Sequence, residues 1–337
     1  MLFIRIIFTF YLIFSTLSHS LAANNVNIYS ARHYDTDLTL YEKFTEETGI
    51  KVNLIEGSGE GLLERLKSES EFSPADVLIT VDAGRLWSAK TNNVLQAVNS
   101  KVLNNRIPLH LRDTDGHWFG LAKRARVIIT HRDNDLNTEI NDYEDLAHPS
   151  LRGKVCMRSS SNIYNLSLLA SIIEHVGADA AEQWANNVVK NFGRKPQGND
   201  TAQLRAIASK ECGVTIANTY YIARLVDSPK TSDQAVANSL NVIFPNQNGR
   251  GTHVNISGAG VTKYSPNKEN AIKFIEFLTD ASTQNIFANA SHEYSITGTS
   301  IGPVTSLGVF KEDTLRAEIL GENQSNAVRI FDRSGWQ

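Results

Sequence analysis

The chain has 337 residues, a length that suggests about two domains. Apolar residues make up 41% of it and charged residues 20%, which is the composition of an ordinary globular protein. The formal net charge is −3 and no basic patch stands out, so we do not expect a nucleic-acid partner.

The first residues have the three-part pattern of a secretory signal peptide. One early cation, Arg5, precedes an apolar run over residues 6–14, and small residues follow. A small-x-small cleavage site at residues 20–22 predicts that residues 1–22 are removed on export to the periplasm. The alternative is a retained membrane anchor, but the apolar run falls short of the ~20 residues that a spanning helix prefers.

Predicted strands and helices alternate through the first half of the mature chain, which indicates an α/β sheet. Alternating or continuous apolar runs predict strands over residues 25–31, 51–57 and 75–82. Helical spacing of apolar residues predicts helices over residues 38–50, 57–69 and 83–93. The glycine-rich stretch at 57–61 lacks the Lys-Ser/Thr of a phosphate loop, so we interpret it as the start of a helix.

The second half repeats this alternation. Strands are predicted over residues 153–158, 212–219, 241–247 and 251–262. Helices are predicted over residues 161–177, 178–192, 201–211 and 267–280. Two long extended runs, near residues 119–130 and 243–262, are expected to carry the chain between two lobes.

The only two cysteines are Cys156 and Cys212, and each lies in a strand-like run. An exported protein with an even number of cysteines permits a disulfide between them. Two separate buried thiols are the alternative, because spatial proximity cannot be derived from the sequence.

Four tyrosines lie at predicted strand ends or helix starts, where functional loops gather. Tyr34 follows the first strand, Tyr164 lies at a strand-to-helix junction, and Tyr220 and Tyr221 end a strand. If the last two began a helix, Tyr220 and Arg224 would share a face and Tyr221 would be turned by about 100°. Any one of these rings alone is more simply a surface aromatic residue, but their shared placement favours a common site.

A tyrosine cluster suits a hard, highly charged cation. A free phenol has a pKa of ~10 and is neutral at pH 7, but such a cation can displace the proton and hold the phenolate. Fe(III) fits this oxygen chemistry, whereas soft metals prefer thiolate or imidazole. Four phenolates around Fe(III) leave a net charge of −1, which Arg124 or Arg224 would offset; the preference for Fe(III) over Fe(II) stays open.

The chain resembles the periplasmic ferric-iron-binding proteins of ABC importers, of the cyanobacterial FutA/IdiA type. The resemblance runs over nearly the whole mature chain and is carried by four ordered segments, residues 27–37, 153–171, 213–225 and 251–278. It implies the type II periplasmic-binding-protein fold, an α/β architecture of two lobes, two crossover strands and a ligand cleft.

The resemblance also implies a set of site residues. The iron ligands would be Tyr34, Tyr164, Tyr220 and Tyr221. His33 would be a further ligand or stand just behind the ligands. The cations beside them would be Arg124 and Arg224.

These observations predict an iron-binding protein that is not an enzyme. We expect it to capture Fe(III) in the periplasm and to deliver it, as a monomer, to an inner-membrane ABC permease. The expected N-terminal lobe comprises residues 23–122 and 246–298, and the C-terminal lobe residues 123–245 and 299–337. The alternatives are a receptor for an anion or a polyamine, or an intracellular iron-handling protein; no nucleophile–base arrangement of an enzyme is visible.

Overall fold

The structure is a computed structural model that describes residues 24–32, 35–133, 136, 138–297 and 299–337. Its strands, β1 to β8 in chain order, are Asn25–Ser30, Lys51–Glu56, Val77–Val81, Phe119–His131, Val214–Asn218, Leu240–Ile243, Val254–Val261 and Tyr294–Ser295. Its α-helices, α1 to α13, are Asp35–Thr48, Gly59–Glu69, Ala83–Thr91, Lys101–Arg106, Ile163–Val176, Ala178–Lys190, Asp200–Ala208, Thr219–Asp227, Thr231–Ser239, Lys268–Leu278, Ala281–Ser291, Ala317–Glu322 and Gln324–Ser334.

The strands form a mixed sheet in the order β2-β1-β3-β7-β4-β5. Strands β2, β1 and β3 are parallel, and β7 is antiparallel to β3. The long strand β4 pairs with β7 along its first half and with β5 and β6 along its second half, always antiparallel. Strand β4 therefore joins the two halves of the sheet, at the position where an extended crossover run is predicted.

Strand β7 is buried along its whole length, and its glycines permit close packing. A Cβ atom at Gly258 would lie 2.8 Å from the carbonyl oxygen of Phe119 on β4 and 2.6 Å from the side chain of Leu86. A larger residue would therefore push β4 and β7 apart near the start of β4.

The mixed sheet with helices packed on it confirms the expected α/β class. The buried apolar residues form two clusters. The larger cluster packs around the parallel strands, where it includes Ile79 and Phe274, and extends to α7, where it includes Leu204. The second packs α5, α6 and α13 against β4 and β5, and includes Leu168 and Trp184. In the part of the chain that the structure describes, no helix is both long and apolar enough to span a membrane.

The predicted strand over residues 153–158 is wrong. Only Val155 makes bridges there, to Phe192 and to Val214, because the following backbone leaves the sheet to reach the start of α5. The predicted disulfide is confirmed: Cys156 and Cys212 are bonded, with their Cα atoms 5.9 Å apart. The signal peptide predicted for residues 1–22 lies outside the described residues.

Candidate metal centre

Tyr164 lies in the first turn of α5, where the sequence predicts a helix start. The Asn162 side chain caps this helix, accepting a hydrogen bond from the backbone N–H of Tyr164 at 3.2 Å. The tyrosine ring is half-buried. The cap fixes where the helix begins and so fixes the direction in which Tyr164 leaves it.

Tyr220 and Tyr221, predicted to end a strand, lie instead in the first turn of α8, two and three residues after the end of β5. The five residues of β5 are all buried, and the chain turns directly from Asn218 into the helix at Thr219. The Thr219 hydroxyl accepts a hydrogen bond from the backbone N–H of Ala125 on β4 at 3.3 Å. The two tyrosines thus project from a rigid strand-to-helix junction.

The structure brings three of the predicted tyrosines together. The Tyr220 hydroxyl donates a hydrogen bond to the Tyr164 hydroxyl oxygen at 3.2 Å. The rings of Tyr220 and Tyr221 pack against each other with centroids 4.2 Å apart and planes tilted by 32°. Neighbouring positions on a helix point about 100° apart, so both side chains must bend toward the same side of the junction. His33 and Tyr34 lie outside the described residues.

The phenols of the cluster are hard to ionise while no cation is bound. Burial raises the pKa of Tyr220 well above its usual value of 10.0, and the neighbouring phenol groups of Tyr164 and Tyr221 raise it further. Burial also raises the pKa of Tyr221, as does the charge of Asp200. These two phenols are therefore neutral at pH 7 in the metal-free protein.

Three guanidinium groups surround the Tyr164 ring. Their central carbons lie 5.2 Å, 5.9 Å and 5.6 Å from the ring centroid for Arg124, Arg126 and Arg158, respectively. Asp200, which is fully buried, accepts hydrogen bonds from Arg126 at 3.1 Å and from Arg158 at 3.0 Å. One carboxylate therefore balances part of the positive charge beside this tyrosine.

Sequence reasoning missed Arg126, Arg158 and Asp200. Residues two apart on a strand point to the same side, so the prediction for Arg124 already indicates Arg126 on β4. Asp200 carries no comparable signal, because it comes at the start of α7 and only the tertiary fold brings it to the arginines.

Arg124 is almost fully buried and its donors are poorly satisfied. Its closest acidic partners are Glu293 at 3.6 Å and Asp82 at 3.7 Å, and the Ser257 hydroxyl lies at 3.5 Å. Among the described residues, its Nε and Nη2 atoms have no hydrogen-bond partner. A buried cation in this condition favours an additional negative charge nearby.

Arg224 lies over the other two rings, as the helical spacing predicts for Tyr220. Its central guanidinium carbon is 5.0 Å from the centroid of the Tyr220 ring and 5.9 Å from that of Tyr221. Both predicted cations therefore lie beside the tyrosine cluster: Arg124 beside the Tyr164 ring, and Arg224 beside the other two rings.

A second group of metal-type side chains lies elsewhere. Asp113, Asp115 and His117 have ligand atoms within 4.8 Å of one another, in the portion of the chain that the structure covers. The ammonium group of Lys90 already contacts Asp113 at 2.7 Å and Asp115 at 2.8 Å. The carboxylates of this group are therefore already paired with a lysine of the chain. The tyrosine cluster is the better candidate for a metal site.

The chain matches one protein family and several individual proteins. The sequence profile of the bacterial extracellular solute-binding proteins matches residues 72–301. The chain is 49% identical over 314 residues to "Iron uptake protein A1" of Synechocystis sp., covering 93% of this chain and 87% of that protein. It is 25% identical over 327 residues to "Major ferric iron-binding protein" of Neisseria meningitidis, covering 93% of this chain and 94% of that protein.

Two solved structures are also similar to this chain over most of its length. The structure of Trichodesmium IdiA (FutA) in complex with iron and citrate ligands superposes with a TM-score of 0.90 and 50% identity, over 93% of this chain and all of that one. Apo FutA2 from Synechocystis superposes with a TM-score of 0.89 and 46% identity, over 94% of this chain and all of that one. The chain belongs to the bacterial extracellular solute-binding proteins.

Proposed function

We propose that this chain binds Fe(III) through the phenolate oxygens of Tyr164, Tyr220 and Tyr221, joined by Tyr34. His33 is a further ligand or stands just behind the ligands. The observation that carries the proposal is the 3.2 Å contact between the hydroxyl groups of Tyr220 and Tyr164, with the Tyr221 ring packed alongside. Three phenols from the first turns of two helices form an oxygen-rich site of the kind that Fe(III) prefers.

The charges beside the tyrosines are compatible with Fe(III) as the bound ion. Four phenolates and Fe(III) have a net charge of −1, and the same ligands with Fe(II) have −2. The guanidinium groups of Arg124 and Arg224 lie 5.0 Å to 5.2 Å from rings of the cluster and offset that charge. The poorly satisfied donors of Arg124 also gain a partner charge when the phenols ionise.

The relatives support the same ligand. Two similar proteins are called iron uptake proteins, one is called a ferric iron-binding protein, and one similar structure contains iron and citrate. Members of the solute-binding family bind their ligands for transport, so this chain acts as a binding protein and not as an enzyme.

The transport role follows from the family and the predicted leader. The chain captures iron outside the cytoplasm, after export through the signal peptide, and delivers it as a monomer to an inner-membrane ABC permease. Residues 23–122 with 246–298 form one lobe and 123–245 with 299–337 the other. Closure of these lobes buries the iron, and the permease recognises the closed form.

A titration of metal-stripped protein with chelated Fe(III) tests this proposal. Phenolate ligation gives a broad visible charge-transfer band that saturates at one iron per chain. Tyr264, which is 45% exposed and far along the sequence from the cluster, provides the matched Tyr→Phe control. No band and no protection against thermal unfolding would favour the anion or polyamine receptor, and protection without colour would indicate Fe(II).

A further inference from the structure

Arg32, the last described residue before His33 and Tyr34, belongs to a buried ion cluster. Its Nε atom lies 2.9 Å from Asp37, and its Nη1 atom lies 2.8 Å from Glu293. The guanidinium group also stacks 3.9 Å above the centroid of the Phe287 ring. The described segment that ends just before His33 is thus tied to a carboxylate far away in the sequence.

Glu293 lies between this cluster and the tyrosines. Its Oε2 atom contacts Arg32, and its Oε1 atom lies 3.6 Å from Nη1 of Arg124. The Ser257 hydroxyl donates to both carboxylate oxygens at 3.2 Å and 3.3 Å, and Ser291 donates to Oε2 at 3.2 Å. Glu293 is only 2% exposed, so these partners hold it in one position.

The carboxylate of Glu293 is charged in this environment. Burial alone would raise its pKa, but the guanidinium groups of Arg32 and Arg124 more than offset that effect and hold the pKa below its ordinary value. A buried negative charge therefore faces the same arginine that lies beside Tyr164.

We propose that Glu293 is a positioning residue for iron binding, which restrains Arg124 beside the tyrosine cluster and balances part of its charge. The inference rests on the proposed function and explains how that site prefers Fe(III) over Fe(II). Because the ferrous complex is the more negative one, an unbalanced Arg124 stabilises Fe(II) more than Fe(III). Glu293 thereby biases the site toward Fe(III).

The test is Glu293→Gln, which keeps the shape of the side chain and removes its charge. Affinities for Fe(III) and for Fe(II) are measured at one pH by competition with chelators of each ion. The ratio of Fe(III) to Fe(II) affinity is expected to fall by about tenfold, the size of effect that one charge exerts across a partly screened distance. A merely structural role of Glu293 would lower thermal stability and leave this ratio unchanged, which would overturn the inference.

Asp76→Asn is the matched control. Asp76 is a fully buried carboxylate at the other end of β3 from Asp82, and it binds Asn27, Ser265 and Asn267 instead of an arginine. Its substitution is expected to leave the ratio within about twofold of the unmodified protein, since the strand separates it from the site by roughly 20 Å. Equal shifts in the two variants would contradict the inference.

Glu293→Asp is the second variant, in case Glu293→Gln does not fold. It keeps the charge but withdraws it from Arg124 by one methylene, so the ratio is expected to lie between those of the unmodified protein and Glu293→Gln. A ratio about tenfold below that of the unmodified protein, although the charge is kept, would overturn the inference. Failure of the unmodified protein to bind iron would instead overturn the proposed function, and this inference with it.

Discussion

The Tyr220 hydroxyl donates a hydrogen bond to the Tyr164 hydroxyl oxygen across 3.2 Å, although the two residues begin different helices, α8 and α5. Each helix start is fixed independently, one by the Asn162 cap and the other by the buried strand β5. The close approach of two phenols is therefore a property of the tertiary fold.

Tyr220→Phe is expected to reduce Fe(III) affinity by more than about 100-fold, because loss of a ligand exceeds the cost of losing a residue that only supports one. Competition with a chelator measures the affinity. The variant should still fold, since the hydrogen bond that it loses to Tyr164 is worth about 1 kcal/mol. Tyr264→Phe is the control, and equal affinities in the two variants would exclude Tyr220 as a ligand.

Iron binding should depend steeply on pH. The pKa values of Tyr220 and Tyr221 are raised in the metal-free protein, chiefly by burial, so each must lose a proton to Fe(III) on binding. Affinity should therefore fall as the pH is lowered, and binding should release about one proton per phenolate ligand. Calorimetry in buffers of different ionisation enthalpy counts these protons; binding without proton release would rule out phenolate ligation.

Much of the site can be predicted from the sequence. Tyr164, Tyr220 and Tyr221 lie in first turns of helices, close to the predicted strand-to-helix junctions, and the helical spacing correctly places Arg224 by Tyr220. Asp200 and Glu293 cannot be found in this way, because each reaches its arginine only through packing of segments distant in sequence. His33 and Tyr34 remain predictions.

Strands of the fold are likewise predictable from the sequence only where the local apolar pattern decides their structure. Apolar periodicity predicts the long strand β4 within a residue or two of its observed ends, because both of its faces are buried. The strand that the same kind of pattern predicts over residues 153–158 does not form. Val155, Cys156 and Met157 are buried there, but only Val155 makes bridges to neighbouring segments.

Asp200→Asn should destabilise the protein by about 3–5 kcal/mol, because it leaves Arg126 and Arg158 beside each other without their shared carboxylate. Urea unfolding of the metal-free protein measures the change. Glu182→Gln breaks an exposed ion pair with Arg333 at 2.6 Å and should leave the unfolding midpoint nearly unchanged. Similar midpoints for the two variants would contradict a stabilising role for the buried carboxylate.

Replacing both Cys156 and Cys212 by serine should lower the free energy of unfolding by about 2–4 kcal/mol, because the bond closes a loop with a sequence separation of 56 residues. The bond joins the segment before Tyr164 to the segment before Tyr220, so iron affinity should fall as well. Reductant added to the unmodified protein should reproduce both effects. Unchanged stability in the double variant would contradict the prediction and show that the other contacts of these segments hold them in place without the bond.

Glu312 should make stability depend on pH in the acid range. Burial would raise its pKa, but His110 and Lys123 lower it to about 2 in the folded protein, compared with 4.5 in the unfolded chain. Its contribution is therefore fully present above pH 4.5 and is lost as the pH falls toward 2. The stability difference between the unmodified protein and Glu312→Gln should shrink over that window in urea unfolding; a constant difference would refute the assignment.

The most direct measurement is the position of iron in a crystal of the loaded protein, located by anomalous scattering at the iron edge. The account predicts one strong peak within bonding distance of the hydroxyl oxygens of Tyr164, Tyr220 and Tyr221, with Arg124 and Arg224 beside it. A peak at Asp113, Asp115 and His117, or no peak at the tyrosines, would contradict it.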